Sequence, residues 1–144
     1  MNIKQLSIFV ENKQGRLAEI TEIITKANAN IRALSIADTT DFGILRIIVD
    51  KPDEAAACLK EAGVTVSVTN VIAIGIDDNP GAFSRPMRLL SDAGVDVEYM
   101  YAFITRKSEK AYVILRVADN DDATKVLIGN GVELLDEATF HELM

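Results

Sequence analysis

The sequence predicts an α+β chain built as the same unit twice in tandem, with antiparallel sheets and helices on one face. Three observations carry this. Short apolar runs with period two alternate with longer stretches at helical spacing. The same kind of turn occurs twice, as Glu11-Asn12-Lys13-Gln14-Gly15-Arg16-Leu17 and as Asp77-Asp78-Asn79-Pro80-Gly81-Ala82-Phe83. Gly15 and Gly81 stand 66 residues apart, and the later landmarks keep that spacing to within two residues.

In the first half, Leu6, Ile8 and Val10 alternate along a strand over residues 6–10. After the turn, Leu17, Ile20, Ile24 and Ala27 recur at helical spacing, with Ile23 widening the stripe. Asn28-Ala29-Asn30 closes that helix, and residues 31–36 read as a second strand. The polar stretch Asp38-Thr39-Thr40-Asp41 makes a hairpin to a third strand over 44–49. Asp50-Lys51-Pro52-Asp53-Glu54 opens a second helix, with proline near its first position and acids in its first turn. That helix runs to Ala62, Gly63 stops it, and residues 64–68 make a fourth strand.

The second half repeats the order. A strand over 71–76 leads through the turn to a helix from about Pro80 to Ala93, then to strands over 97–104 and 112–117. Asp119-Asn120-Asp121-Asp122 opens the next helix, and a strand over 132–135 follows Gly131. Residues 137–144 can add a short helix carrying Ala138, Phe140 and Leu143. Each half is thus β-α-β-β-α-β, the order of a ferredoxin-like unit, with right-handed crossovers that put both helices on one sheet face. The expected units are residues 1–69 and 70–144. Leu45, Ile47, Val49, Val113, Leu115 and Val117 should face the helices. Ile44, Ile48, Tyr112 and Ile114 then point the other way, to a face that the other half or a second chain should cover. Pro86 falls where the first half has Ile20, inside the expected helix. Either the helix kinks there or its regular part begins near Ser84.

Composition narrows the function. With 49% apolar residues the 144-residue chain can pack a core, and no apolar run is long enough to cross a bilayer. A net charge of −7 with scattered Lys and Arg argues against nucleic acid. The N-terminus lacks the layout of a secretory signal. One cysteine, Cys58, forms no internal disulfide and fits a reducing cytoplasm.

The two turns are the candidate sites. A helix start offers backbone N–H groups without intrahelical partners and positive dipole character. A glycine beside it lets a carboxylate or phosphate approach. Asn12 and Asp78 can equally be plain helix caps, and Asn30 and Asp96 plain turn residues. A metal is not expected. Asp77 and Asp78 point apart, no calcium-loop Glu follows, and Asp119, Asp121 and Asp122 suit a helix N-terminus. His141 is the sole histidine, so no His-centred triad is expected. Ser84 has no evident base. Cys58 in its alanine-rich helix reads as structural, and Tyr99, Tyr101 and Phe103 as core or interface residues.

A β-α-β-β-α-β unit whose first strand ends in Asp78-Asn79-Pro80-Gly81-Ala82-Phe83 resembles the ACT domain, and the chain resembles two of them in tandem from about Ile3 to Leu135. The first half keeps Asn12 and Gly15 but has Gln14 where the family often has proline. The resemblance implies units that pair side by side and bind a free amino acid or similar small ligand at their interface. The positions it carries over are the turn residues Asn12, Gln14, Gly15 and Arg16, and Asp78, Asn79, Pro80, Gly81 and Ala82. To these it adds Asn30-Ile31 and Asp96-Val97, at the starts of the second strands. It further implies a cytoplasmic regulator without cofactor or catalysis of its own, a homodimer, acting on a separate metabolic enzyme. The alternative is an assembly module with no physiological small ligand.

Overall fold

A computed structural model describes residues 1–38 and 40–143, with Ile104 by its backbone alone. Thr39 of the expected hairpin and Met144 of the expected tail lie outside the described residues. The chain divides into two compact units, Lys4–Thr69 and Asn70–Met144, the latter with Met1–Ile3.

The first unit contains β1 (Ile3–Glu11), α1 (Arg16–Lys26), β2 (Ile31–Asp38), β3 (Phe42–Val49), α2 (Pro52–Glu61) and the start of β4 (Val66–Ile76). Its strand order is β2-β3-β1-β4, and β1 pairs antiparallel with β3, Ile8 opposite Leu45. Leu6, Ile8 and Val10 on β1 and Leu45, Ile47 and Val49 on β3 face α1 and α2, as period two requires. They pack with Ile20 and Ile24 of α1 and Ala55 and Leu59 of α2. Fully burying side chains of this size contributes about 1.5–3 kcal/mol each.

The second unit takes the end of β4, then α3 (Ser84–Asp92), β5 (Val97–Ile104), β6 (Ala111–Val117), α4 (Asn120–Gly129), β7 (Glu133–Leu135) and α5 (Glu137–Leu143). Here β7, β4, β6 and β5 are neighbours in that order. Val113, Leu115 and Val117 pack with Leu90 of α3 and Leu127 of α4. Asp119 caps α4, its Oδ1 accepting from the Asp122 N–H at 3.0 Å. Both units therefore have the βαββαβ, ferredoxin-like architecture.

Two features differ from the expected outline, and a third decides between the alternatives expected at Pro86. The strands expected over 64–68 and 71–76 are one strand, β4. Its sequence Val-Ser-Val-Thr-Asn-Val has β-branched residues and neither Gly nor Pro to turn the chain. The second helix of the repeat begins at Ser84, two positions later than α1 would dictate. The Arg85 N–H already donates to the Gly81 carbonyl four residues back, and Pro86, next in line, has no N–H to continue the ladder, so the regular helix begins only at Ser84. Finally, α5 lies across the face turned away from α3 and α4. Phe103 stacks on Tyr112 at 5.6 Å, and Phe140 of α5 meets Phe103 edge-on at 5.1 Å. Tyr112, Ile114 and Ile48 are already buried within the single chain.

Candidate functional site

The two turns share one backbone. Gly15 and Gly81 are left-handed, with φ of 84° and 87°, a conformation that costs glycine nothing and strains other residues. In the first turn the Arg16 N–H donates to the Lys13 carbonyl at 3.3 Å. In the second, the Ala82 N–H donates to the Asn79 carbonyl at 3.2 Å. The next turn opens identically, Glu19 donating to Gly15 and Arg85 to Gly81, both at 3.0 Å. A Cβ on either glycine would meet nothing within 4 Å, so both turns face open space.

The cap reading does not hold for Asn12. Its Nδ2 donates to the Thr40 carbonyl at 2.9 Å, which ties the turn to the β2–β3 hairpin. Neither α1 nor α3 has a side-chain N-cap bond, so the helix starts are left to other partners.

Around the second turn the chain forms a cleft of about 390 Å³. Asn79, Pro80, Gly81, Ala82 and Arg85 make one wall; Asp77, Lys110 and Glu133 face it. Lys110 Nζ donates to Glu133 Oε2 at 2.8 Å and lies 3.7 Å from Asp77 Oδ1. The hydrogen bond and charge of Glu133 raise the Lys110 pKa above its ordinary 10.5. Arg85 is held by the Asn130 carbonyl.

The charges of the first turn pair among themselves, Lys13 with Glu11 and Arg16 with Glu19, and strand register explains why it lacks counterparts of Lys110 and Glu133. Val10 pairs with Gly43, and Ile76 with Ala111, so Phe9 and Phe42 correspond to Gly75 and Lys110. Phe9 and Phe42 stack with centroids 4.9 Å apart. At Gly75 a Cβ would lie 2.7 Å from Glu133 Oε2, so only glycine leaves the carboxylate its place. An aromatic pair in one unit is a charged cluster in the other.

The other positions carried by the resemblance fall as follows. Asp78 borders a second depression with Ser108, Glu109 and Lys110. Gln14 is exposed, and Arg16 pairs with Glu19 at 3.0 Å. Asn30 and Asp50 exchange bonds at the far end of β3, the Asn30 N–H donating to Asp50 Oδ1 at 2.8 Å and the Asp50 N–H to the Asn30 carbonyl at 3.1 Å. Ile31 stands beside Asn30, opposite Val49, and Val97 opposite Val117 with Asp96 preceding it. Each strand start is thus at the opposite end of its own unit's sheet from the turn, roughly 23 Å away along β3 or β6. The structure brings together Asn79 to Ala82 and adds Asp77, Arg85, Lys110 and Glu133. Of the additions, Asp77 belongs to the turn quoted from the sequence; Arg85, Lys110 and Glu133 lie outside it. Among the described residues no three His, Cys, Asp or Glu side chains group as a metal site. Among the same residues no helix is long and apolar enough to cross a membrane.

Two ferredoxin-like units, each opening its first helix through a glycine turn, define a tandem pair of one domain type. A family model described as ACT domain pair matches residues 1–144, and the chain belongs to that family. It is similar to the crystal structure of protein BT0572 from Bacteroides thetaiotaomicron, at 43% identity and a TM-score of 0.92, covering 99% of this chain and 98% of that one. It shares its fold with the regulatory subunit of aspartate kinase from Thermus thermophilus in ligand-free form, at 13% identity and a TM-score of 0.62 over 89% and 92% of the two chains. The regulatory subunit from Thermus flavus gives 11% identity and a TM-score of 0.60, over 88% and 90%. No curated protein matches the chain.

Proposed function

We propose that the chain is a regulatory protein that binds a free amino acid at the turn of its second unit and controls a separate metabolic enzyme. The observation that carries this reading is the charge arrangement around Gly81. Arg85 and Lys110 supply cations, Asp77 and Glu133 supply anions, and all four line one cleft. A zwitterion needs both signs within a few ångströms, and a helix N-terminus favours its carboxylate end. In this reading the carboxylate lies at the start of α3 near Arg85, and the ammonium lies against Asp77 and Glu133. Asp78 acts from the neighbouring rim. Asn30, Ile31, Asp96 and Val97 enter only through the resemblance to the family.

The first turn, with Asn12, Gln14, Gly15 and Arg16, keeps the backbone without the charged cluster, so we assign it the weaker site. Leu17, Leu34 and Ile36 of the first unit are exposed, and exposed apolar side chains of this kind favour an interface. We assign that surface to a second copy of the chain, giving a homodimer. The reading gives the protein no cofactor and no reaction of its own. Cys58 is a free thiol, in keeping with a cytoplasmic regulator.

A thermal-shift screen of the common amino acids tests the proposal. Ligand at 100 times its Kd stabilises the folded state by about 2.7 kcal/mol. A shift with one amino acid supports the sensor; none with any of them favours the assembly module.

A further inference from the structure

We propose that the second unit selects an amino acid with a bulky apolar side chain, held in a groove where Ala102 stands in the place that Ile36 takes in the first unit. The inference rests on the amino-acid reading above and adds the class of ligand. On the helix side of the sheet, Ile76, Phe83, Met100, Ala102 and Val113 line a groove of about 330 Å³. Ile76 also borders the charged cleft, and Phe83 directly follows the turn. One turn is thus flanked by a charged cleft suited to the head group and an apolar groove suited to a side chain. Small-ligand sites share this division, being mostly apolar with a few polar groups that fix orientation.

The register identifies what differs between the units. Ile36 pairs with Leu45 on β3, and Ala102 pairs with Val113 on β6. Leu45 and Val113 are themselves equivalent, standing opposite Ile8 and Ile74. Ile36 therefore occupies in the first unit the place of Ala102 in the second. Its Cδ1 reaches to 3.6 Å from where a Cβ on Gly43 would stand, so the side chain extends over β3. Ala102 stops at its Cβ, two carbons short of that. Met100, 46% exposed at the rim, is unbranched and adapts to the shape it meets. No charged side chain lines the groove among the described residues, so an acidic or basic ligand side chain would lose water there without gaining a partner.

Titration calorimetry on the full chain tests this, with leucine, isoleucine, methionine and phenylalanine set against glycine, aspartate and lysine. At least one of the apolar four is expected to bind about tenfold or more tightly than the other three, since each apolar methylene discriminates by about tenfold or more. Ala102→Ile is expected to weaken that binding at least tenfold, and Met100→Ala to weaken it without loss of the fold. Aspartate or lysine binding as tightly as the best apolar ligand would overturn the apolar groove and leave the sensor reading standing. So would wild-type affinity in Met100→Ala, which decides the matter if Ala102→Ile does not fold. Failure of every common amino acid to bind would overturn both proposals. If Ala102→Ile turns a wild-type dimer into a monomer by light scattering, the groove belongs to a second copy and the inference is wrong.

Discussion

Glu133 extends over Gly75, placing its Oε2 2.7 Å from where a side chain would begin and 2.8 Å from Lys110 Nζ. The equivalent of Gly75 is Phe9, so this one position separates the charged turn from the apolar one. Gly75→Ala should push the flexible Glu133 aside and crowd Tyr112, whose Cε1 would stand 3.2 Å from the new carbon. Ligand affinity should fall, while stability changes by no more than about 1–3 kcal/mol, the usual cost of a little overpacking. Paired calorimetry and urea unfolding check this; unaltered affinity would remove Glu133 from the site.

Hydrogen bonds to charged groups contribute roughly 1.5–3 kcal/mol. Asp77→Asn should accordingly weaken amino-acid binding by about tenfold or more. Asp78→Ala, on the neighbouring rim, should weaken it less. Asp121→Ala, in the first turn of α4, should leave it unchanged. Equal effects from Asp77→Asn and Asp121→Ala in calorimetry would show a general charge effect instead of a contact.

Position 86 and its counterpart 20 should respond oppositely to proline. Pro86→Ala supplies an N–H that can continue the ladder to the Ala82 carbonyl, which offsets the buried apolar surface it removes, so stability should change by less than about 1 kcal/mol. Ile20→Pro removes a bond in the interior of α1 and empties a fully buried site, which should cost about 3 kcal/mol or more. Equilibrium unfolding in denaturant measures both.

The C-terminal helix should be sensitive to acid. The Thr139 N–H donates to Asp136 Oδ1 at 2.7 Å, and this bond lowers the carboxyl's pKa below its ordinary 3.8. A depressed carboxyl pKa stabilises the fold at pH above the ordinary value, and that contribution is lost as pH falls through the folded-state pKa. Lys110, with its raised pKa, contributes below pH 10.5 and loses that contribution as pH rises through its folded value. Near-UV circular dichroism should register loosening of the Phe103–Phe140 contact at acid pH in wild type. In Asp136→Ala, which removes the accepting oxygen, it should do so already at neutral pH; no difference between the two would remove the cap's assigned role.

The order of elements was legible because the apolar periods change cleanly at each turn and the two turns match. Which side chains face the helices followed from the same period, as Leu45 and Val113 show. The unbroken β4 was not legible, because Thr69 and Asn70 suit a strand or a turn equally and only pairing decides. The turn residues Asn79 to Ala82 were found through their motif. Arg85, Lys110 and Glu133 lie on three different elements, and no local spacing links them. Only the register that places Ala111 opposite Ile76 brings Lys110 to the turn, and only a glycine at 75 lets Glu133 join it.

The two units meet within a strand, since Thr69 and Asn70 are both interior to β4. No tether joins the repeats, so neither can be cut away or exchanged as a bead on a string. A break at their midpoint would leave each fragment with half a strand and an open edge, prone to pair with another chain.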